Sequence, residues 1–317
     1  MYWTIPHERR LSKFEAKQNM KIIPFQKLAC PLDGEALENK TLENEDLENK
    51  GTAWLCPNGH SFDVASKGYT NLLPVQHKRS LDPGDHKAMV AARQRFLNAG
   101  FYQAVADAVN QAVFSTCART DILNCLDAGC GEGYYLRELA AASNNDPVFS
   151  GFELSVLGLD ISKWAVLAAA KQDARPTLIV GSNVNIPALP NTFDCVLCMF
   201  GFPVYAEFAR VLKPGGVYIQ VDTGPKHLRE LRDIIYPSLK EERADKTESP
   251  EGFSKVSNDP VEFSIALNNN SQIADLLAMT PHFYRASAEG RDKALALKEL
   301  SLTVDVQIST FISDMSE

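Results

Sequence analysis

The chain has 317 residues, of which 45% are hydrophobic and 23% charged, with a net charge of −8 and a pI near 5.4. No apolar run approaches the roughly 18 residues that a membrane helix needs. The acidity argues against a general nucleic-acid coat protein but leaves room for a local basic face. Seven cysteines, an odd number with several inside apolar runs, suit a reducing cytosol better than a disulfide framework, so a cytoplasmic location without membrane contact is expected.

Residues 1–24 read as an extension of little periodicity, without the apolar block of a secretory signal. Residues 25–70 read as a small unit with two candidate metal knuckles, Cys30-Pro-Leu-Asp33 and Cys56-Pro-Asn-Gly-His60. A structural zinc site draws two ligands from each of two tight turns, so Cys30, Asp33, Cys56 and His60 form a candidate set. Between the knuckles, Leu37 to Lys50 repeats Leu-Glu-Asn three times and reads as a solvated hairpin tip or loop with no chemistry of its own. Residues 71–120 read as a linker with two prolines and a basic cluster, then one helix ending near Gly100 and another starting near Tyr102. From residue 121 to the end, short β-rich runs alternate with helical stretches, the pattern of a parallel sheet covered on both faces.

The strongest local signal lies in ILNCLDAGCGEGYYLRELA. A buried strand ends at Asp127, and Gly129, Gly131 and Gly133 make a turn before a helix. Glycine lets backbone approach a ligand closely, and doubly wound folds bind ligands at the carboxyl ends of their strands. Dinucleotide enzymes share such a turn. Here, however, an acid precedes it; a carboxylate repels a pyrophosphate but suits the cationic amino-acid end of S-adenosylmethionine. Asp160 ends the next strand, where a carboxylate can accept both ribose hydroxyls; its alternative role is to cap the following helix, a role open to Ser162 as well. The order that follows, with a strand from Phe193, a helix, Lys-Pro-Gly-Gly and another strand, resembles the later half of Rossmann-like methyltransferases. Cys195 and Cys198 lie in an apolar strand at a spacing that points them to opposite faces, so they read as packing residues.

On these residues the chain resembles the bacterial 23S rRNA (guanine-N1)-methyltransferase family, the RlmA family. The resemblance runs from about Cys30 to the C-terminal region through KGYTNLLPVQHKRSLDPGD, ARQRFLNAGFYQ, LDAGCGEGYY, GLDISKWAVLAAAK, ARVLKPGG, GPKHLREL and LLAMTPHFYRA. It implies an α/β fold: a Rossmann-like class I methyltransferase domain with a small N-terminal zinc-ribbon-like domain that helps grip RNA. It also implies methylation of N1 of a guanine in a 23S rRNA hairpin loop, and a homodimer with a shared groove. By position it places Gly131 and Glu132 in the donor-binding turn and makes Tyr102 and His227 donor contacts. The chain departs from the family pattern in carrying Asp33 where a cysteine is expected, in its longer Leu37–Lys50 loop, and in the Phe-Gly-Phe-Pro turn from Phe200 to Pro203.

Methyl transfer to a ring nitrogen needs nucleophile, methyl and sulfur in line, and guanine N1 must lose its proton. Phe200 and Phe202 are candidates to stack on a splayed guanine, with core packing as the alternative, and Asp222 is a candidate proton acceptor. Lys67, His77, Lys78, Arg79, Arg93, Arg95, Lys226 and Arg229 are candidate phosphate contacts, individually indistinguishable from solvated charges. A small-molecule methyltransferase would share every donor-site residue but would not require the knuckles or the basic run. A non-catalytic RNA-binding protein would bind without turnover.

Overall fold

The computed structural model describes residues 21–42, 51–77, 80–117, 121–145, 153–238 and 249–314. The strands are β1 (Lys21–Pro24), β2 (Glu38–Leu42), β3 (Gly51–Leu55), β4 (Ser61–Asp63), β5 (Tyr69–Asn71), β6 (Ile122–Ala128), β7 (Glu153–Asp160), β8 (Thr177–Val180), β9 (Phe193–Met199), β10 (Leu212–Thr223), β11 (Phe253–Leu267) and β12 (Leu300–Ser313). The helices are α1 (Lys87–Asn98), α2 (Gln103–Thr116), α3 (Tyr134–Asn145), α4 (Lys163–Gln172), α5 (Tyr205–Val211), α6 (Arg229–Ile235), α7 (Asn270–Met279), α8 (His282–Arg285) and α9 (Ala288–Leu295).

The large sheet runs β11-β12-β10-β9-β6-β7-β8-β5. From β10 to β5 the neighbours are parallel, and β12 is antiparallel to both β10 and β11. The chain proceeds outward from β6 through β7 and β8, then returns to β6's other side with β9. The crevice at the carboxyl ends of these strands is therefore the topological switch point at which doubly wound sheets bind ligands. β9 is buried along its whole length, as a central parallel strand must be. Cys195 joins the apolar cluster on one face of the sheet and Cys198 the cluster on the other, the alternation expected of a strand.

Three elements depart from the reading of the sequence. Residues 1–20 lie outside the described residues, but Lys21–Pro24 forms a strand rather than part of a structureless extension, pairing in parallel with Glu153–Val156. β8 pairs only with Leu157–Asp160, which leaves the Glu153–Val156 part of that β7 edge open for Lys21–Pro24 to fill. β5, assigned to the small unit, instead extends the large sheet beyond β8. The acidic repeat splits: Glu38–Leu42 pairs with Gly51–Leu55 in a three-stranded antiparallel ribbon completed by β4, and residues 43–50 lie outside the described residues.

The ribbon shares its core with the large domain. Phe25 stacks on Phe193 with centroids 4.7 Å apart, a contact that contributes about 1 kcal/mol beyond its buried area. Leu28, Cys30, Leu37, Trp54 and Cys56 belong to the same apolar cluster as Ile186, Val196 and Phe208. Ala29 donates its amide to Pro187 O (3.1 Å), and Asn185 Nδ2 donates to Pro31 O (3.2 Å).

Candidate functional site

The glycine turn is bonded to the tip of β7. The amides of Gly129 and Cys130 both reach Leu159 O, at 2.8 and 2.9 Å, and the Gly131 amide donates to Asp160 Oδ2 at 2.9 Å. Gly129, Gly131 and Gly133 all have positive φ, of 109°, 57° and 80°, a region that other residues enter only with strain. Asp160 Oδ1 accepts the Ser162 amide at 2.7 Å. Each Asp160 oxygen keeps a second lone pair, so both can still receive a hydroxyl. The helix cap falls to Ser162, whose Oγ accepts the Ala165 amide at 3.2 Å.

Asp127 sits beside this turn with no exposure to solvent, and neither of its carboxylate oxygens has a hydrogen-bond partner. Burial first, and the nearby charge of Asp160 second, push it up to about 8. Six buried side-chain polar atoms lack a partner among the described residues, and five of them surround the turn: both oxygens of Asp127, Glu132 Oε1, the Tyr135 hydroxyl and Asn183 Oδ1. Native proteins satisfy nearly all buried polar groups, so such a concentration marks a place where ordered water or a ligand completes the bonding.

Glu132 belongs to the turn through its backbone. Its side chain is buried away from solvent against Arg137 Nη2 (3.0 Å) and Gln172 Nε2 (2.5 Å), where it ties α3 to α4. Asn183, which the sequence did not single out, bridges the two halves of the crevice. Its Nδ2 reaches Ala128 O at the tip of β6 (3.3 Å) and Phe202 O (3.4 Å). Two carbonyl partners fix which end of the amide is nitrogen, so Oδ1 is the orphan. Its position three residues after β8 was the available signal, since loops at strand tips line the crevice.

Tyr102, Phe200 and His227 form a triangle of rings with centroids 6.1–6.3 Å apart. His227 Nδ1 accepts the Asp305 amide at 3.3 Å, which puts the ring proton on Nε2, 3.2 Å from the Tyr102 hydroxyl. Burial lowers His227 to about 4, so the imidazole is neutral, and burial likewise raises Tyr102 and keeps it a phenol. The His227 turn is held by Asp305, which takes the Lys226 amide on Oδ2 (2.9 Å) and packs where any side chain at Gly224 would lie. Phe200 has a left-handed backbone, φ 54°, at the end of β9; strain of this kind gathers at functional sites.

The two phenylalanines therefore differ. Phe200 is part of the triangle, whereas Phe202 is 89% exposed at the mouth of the crevice, with exposed Val184 on the loop after β8. Asp222 is exposed near the carboxyl end of β10 and accepts Gln220 Nε2.

The candidate phosphate contacts scatter. Arg95 pairs with buried Asp275 (2.5 Å), Lys226 with Glu262 (3.0 Å) and Arg229 with Asp233 (3.3 Å), while Lys67 is exposed in the turn before β5. Arg93 is not at an outer face but beside the glycine turn. His77 closes a 3-10 turn, Val75–His77, and Lys78 and Arg79 lie outside the described residues.

The second cluster is in the ribbon. Ligand atoms of Cys30, Asp33, Cys56 and His60 all lie within 4.8 Å of one another. Cys30 Sγ is 3.4 Å from His60 Nδ1, Asp33 Oδ2 is 3.1 Å from that nitrogen, and Cys56 Sγ is 3.3 Å from Asp33 Oδ2. Tetrahedral zinc, with bonds of about 2.0–2.3 Å, spaces its ligands about 3.3–3.8 Å apart, so this set fits a zinc ion with little movement. Asn58 Nδ2 (3.0 Å) and the Glu35 amide (3.1 Å) orient Asp33 from outside. The Asn58 bond is the main cause that holds Asp33 well below the usual carboxylate range.

Residues 28–81 match the zinc-ribbon family described as "RlmA, N-terminal", and residues 125–216 match the family described as "Methyltransferase domain". A Bacillus subtilis (strain 168) protein with the provisional name 23S rRNA (guanine-N(1)-)-methyltransferase YxjB is 28% identical over 91% of this chain and 98% of its own length. A Micromonospora griseorubida protein with the same provisional enzyme name is 34% identical over 66% of this chain and 69% of its own. A Streptomyces fradiae protein named 23S rRNA (guanine(748)-N(1))-methyltransferase is 33% identical over 57% and 61%. With an RlmA-type ribbon joined to a donor crevice of class I methyltransferase topology, the chain belongs to the 23S rRNA (guanine-N1)-methyltransferase family.

Proposed function

We propose that the protein transfers a methyl group from S-adenosylmethionine to N1 of a guanine in a hairpin loop of 23S rRNA, as a cytoplasmic homodimer whose ribbon carries zinc. The observation that carries the reading is the buried, unpartnered Asp127 carboxyl beside Asp160. A cationic guest supplies what Asp127 lacks, and a nucleoside supplies hydroxyls for Asp160. Among the described residues no helix is long and apolar enough to cross a membrane. The deciding experiment is methyl incorporation from labelled donor into unmodified 23S rRNA, followed by primer extension. A stop at one guanine supports the proposal; incorporation only into small acceptors overturns it.

The residues divide the work. Asp127 and Asp160 hold the donor, and the Tyr102–His227 pair walls its reactive end. His227 is neutral and already donates through Nε2, and Tyr102 keeps its proton, so neither takes the proton from guanine N1. Asp222 is the candidate acceptor on the side where the base arrives. Phe202, exposed at the mouth, is the candidate stacking platform. Phe202→Ala is expected to raise the KM for RNA about 5- to 150-fold, the worth of about 1–3 kcal/mol of base stacking, with donor affinity unchanged by calorimetry.

Zinc in the ribbon would be held by Cys30, Asp33, Cys56 and His60 and would serve as a structural crosslink between two knuckles. Elemental analysis of the purified protein should find about one zinc per chain. Stripping it with a chelator should lower the melting temperature. Asp33→Cys is expected to tighten zinc about tenfold in chelator competition, because a thiolate is the softer ligand.

A further inference from the structure

Arg93 lies on α1, which follows the linker. Its Nη1 pairs with Asp85 Oδ2 at 2.5 Å, and its Nη2 donates to Met279 O at 3.3 Å. These two contacts pin the guanidinium from opposite ends, the linker and α7. The pinned fork faces the glycine turn: Nη1 is 3.7 Å from where a Cβ at Gly131 would stand, and its positive charge reaches Asp160 and Tyr135. The side chain is three-quarters buried, at 25% exposure, which is poor placement for an RNA phosphate. A guanidinium has five N–H groups, so the fork has capacity beyond Asp85 and Met279.

The other cations near the turn are spent differently. Arg137 Nη1 also stands near the turn, 3.5 Å from where a Cβ at Gly133 would lie, but its donors go to Glu132 O, Glu132 Oε2 and Asn98 Oδ1, and Arg95 turns to Asp275. The amino-acid end of the donor carries an ammonium and a carboxylate side by side. Asp127 offers a carboxyl for the first. A guanidinium within a few ångströms of the same turn suits the second, and Arg93 stands in that place.

We propose that Arg93 anchors the α-carboxylate of the methyl donor, held in position by Asp85, and that it is not an RNA contact. Together Arg93 and Asp127 form a clamp for a zwitterion. The inference rests on the donor reading above and assigns one end of that same site.

The test uses the full-length protein and two probes, S-adenosylhomocysteine and its decarboxylated analogue, which lacks only the carboxylate. By calorimetry, Arg93→Gln is expected to weaken the first about 30-fold, the worth of a charge-assisted pair, and to leave the second within threefold. Arg93→Lys should recover part of the loss, because a point charge attracts a carboxylate without the bidentate fit. Equal weakening of both probes would make Arg93 a structural prop and overturn the proposal. Unchanged binding of both, with weakened binding of a 23S hairpin, would return Arg93 to the RNA. If the wild-type protein binds neither probe, the donor reading itself fails, which is a separate result from either.

Discussion

Asp160→Ala is expected to weaken S-adenosylhomocysteine binding about 1,000-fold while leaving the protein folded. The carboxylate does two jobs at once. It holds the Gly131 amide on Oδ2 and the Ser162 amide on Oδ1, and in the donor reading it also receives the ribose. Hydrogen bonds to a charged acceptor contribute about 1.5–3 kcal/mol each, so losing both amide bonds removes about 4 kcal/mol of organisation, and about 1.4 kcal/mol is tenfold in affinity. The start of α4 survives, because Ser162 Oγ caps it independently. Asp160→Asn keeps one acceptor and should fall between wild type and alanine. Calorimetry on both variants, with thermal melts as the folding control, checks this. Affinity within threefold of wild type for the alanine variant would remove Asp160 from the site.

Asp127 gives the second large effect, and it is a pH effect. In the donor-free fold, burial and Asp160 raise it to about 8 from an ordinary 3.8. Between those values the folded protein keeps a proton that the unfolded chain releases. This group therefore makes the donor-free protein less stable as pH rises from about 4 to about 8. Donor binding reverses the preference, since an adjacent ammonium favours the carboxylate. Binding near neutrality should then expel about one proton, and affinity should climb about tenfold per pH unit until about pH 8. Asp127→Asn should bind about 100-fold more weakly than wild type at pH 8, with a flat profile, and about equally at pH 6. Titrations in two buffers of different ionisation enthalpy count the released proton. A wild-type profile flat from pH 6 to 8 would contradict the assignment.

Much of the proposed donor site was legible because its determinants are local. Asp127 and the three glycines stand together at a strand end, and Asp160 ends the next parallel strand, so strand adjacency alone brings them to one crevice. The candidate metal knuckles are likewise two short turns, brought together by one hairpin. The direction of Glu132 was not legible: the turn fixes its backbone, but Arg137 on α3 and Gln172 on α4 decide where its side chain goes. Arg93 read as one more surface cation because its neighbours, Asp85 and Met279, come from a linker and a helix far along the chain. β1 escaped because four residues reveal no period, and the open edge they fill exists only once β7 and β8 are paired out of step. Tyr102 and His227 came through family resemblance alone; their partnership spans 125 positions.

The joint between ribbon and crevice has a geometric consequence. Phe25 against Phe193, Ala29 on Pro187 and Asn185 on Pro31 fasten the small unit to the large domain at three described contacts. Asn185 stands two positions from Asn183, which touches the tip of β6. The span between the knuckles and the methyl group is thus set once, when the chain folds. In the proposed reaction the protein works as a fixed caliper: an RNA stem lengthened by one base pair between its gripped end and its target base would present that base out of reach.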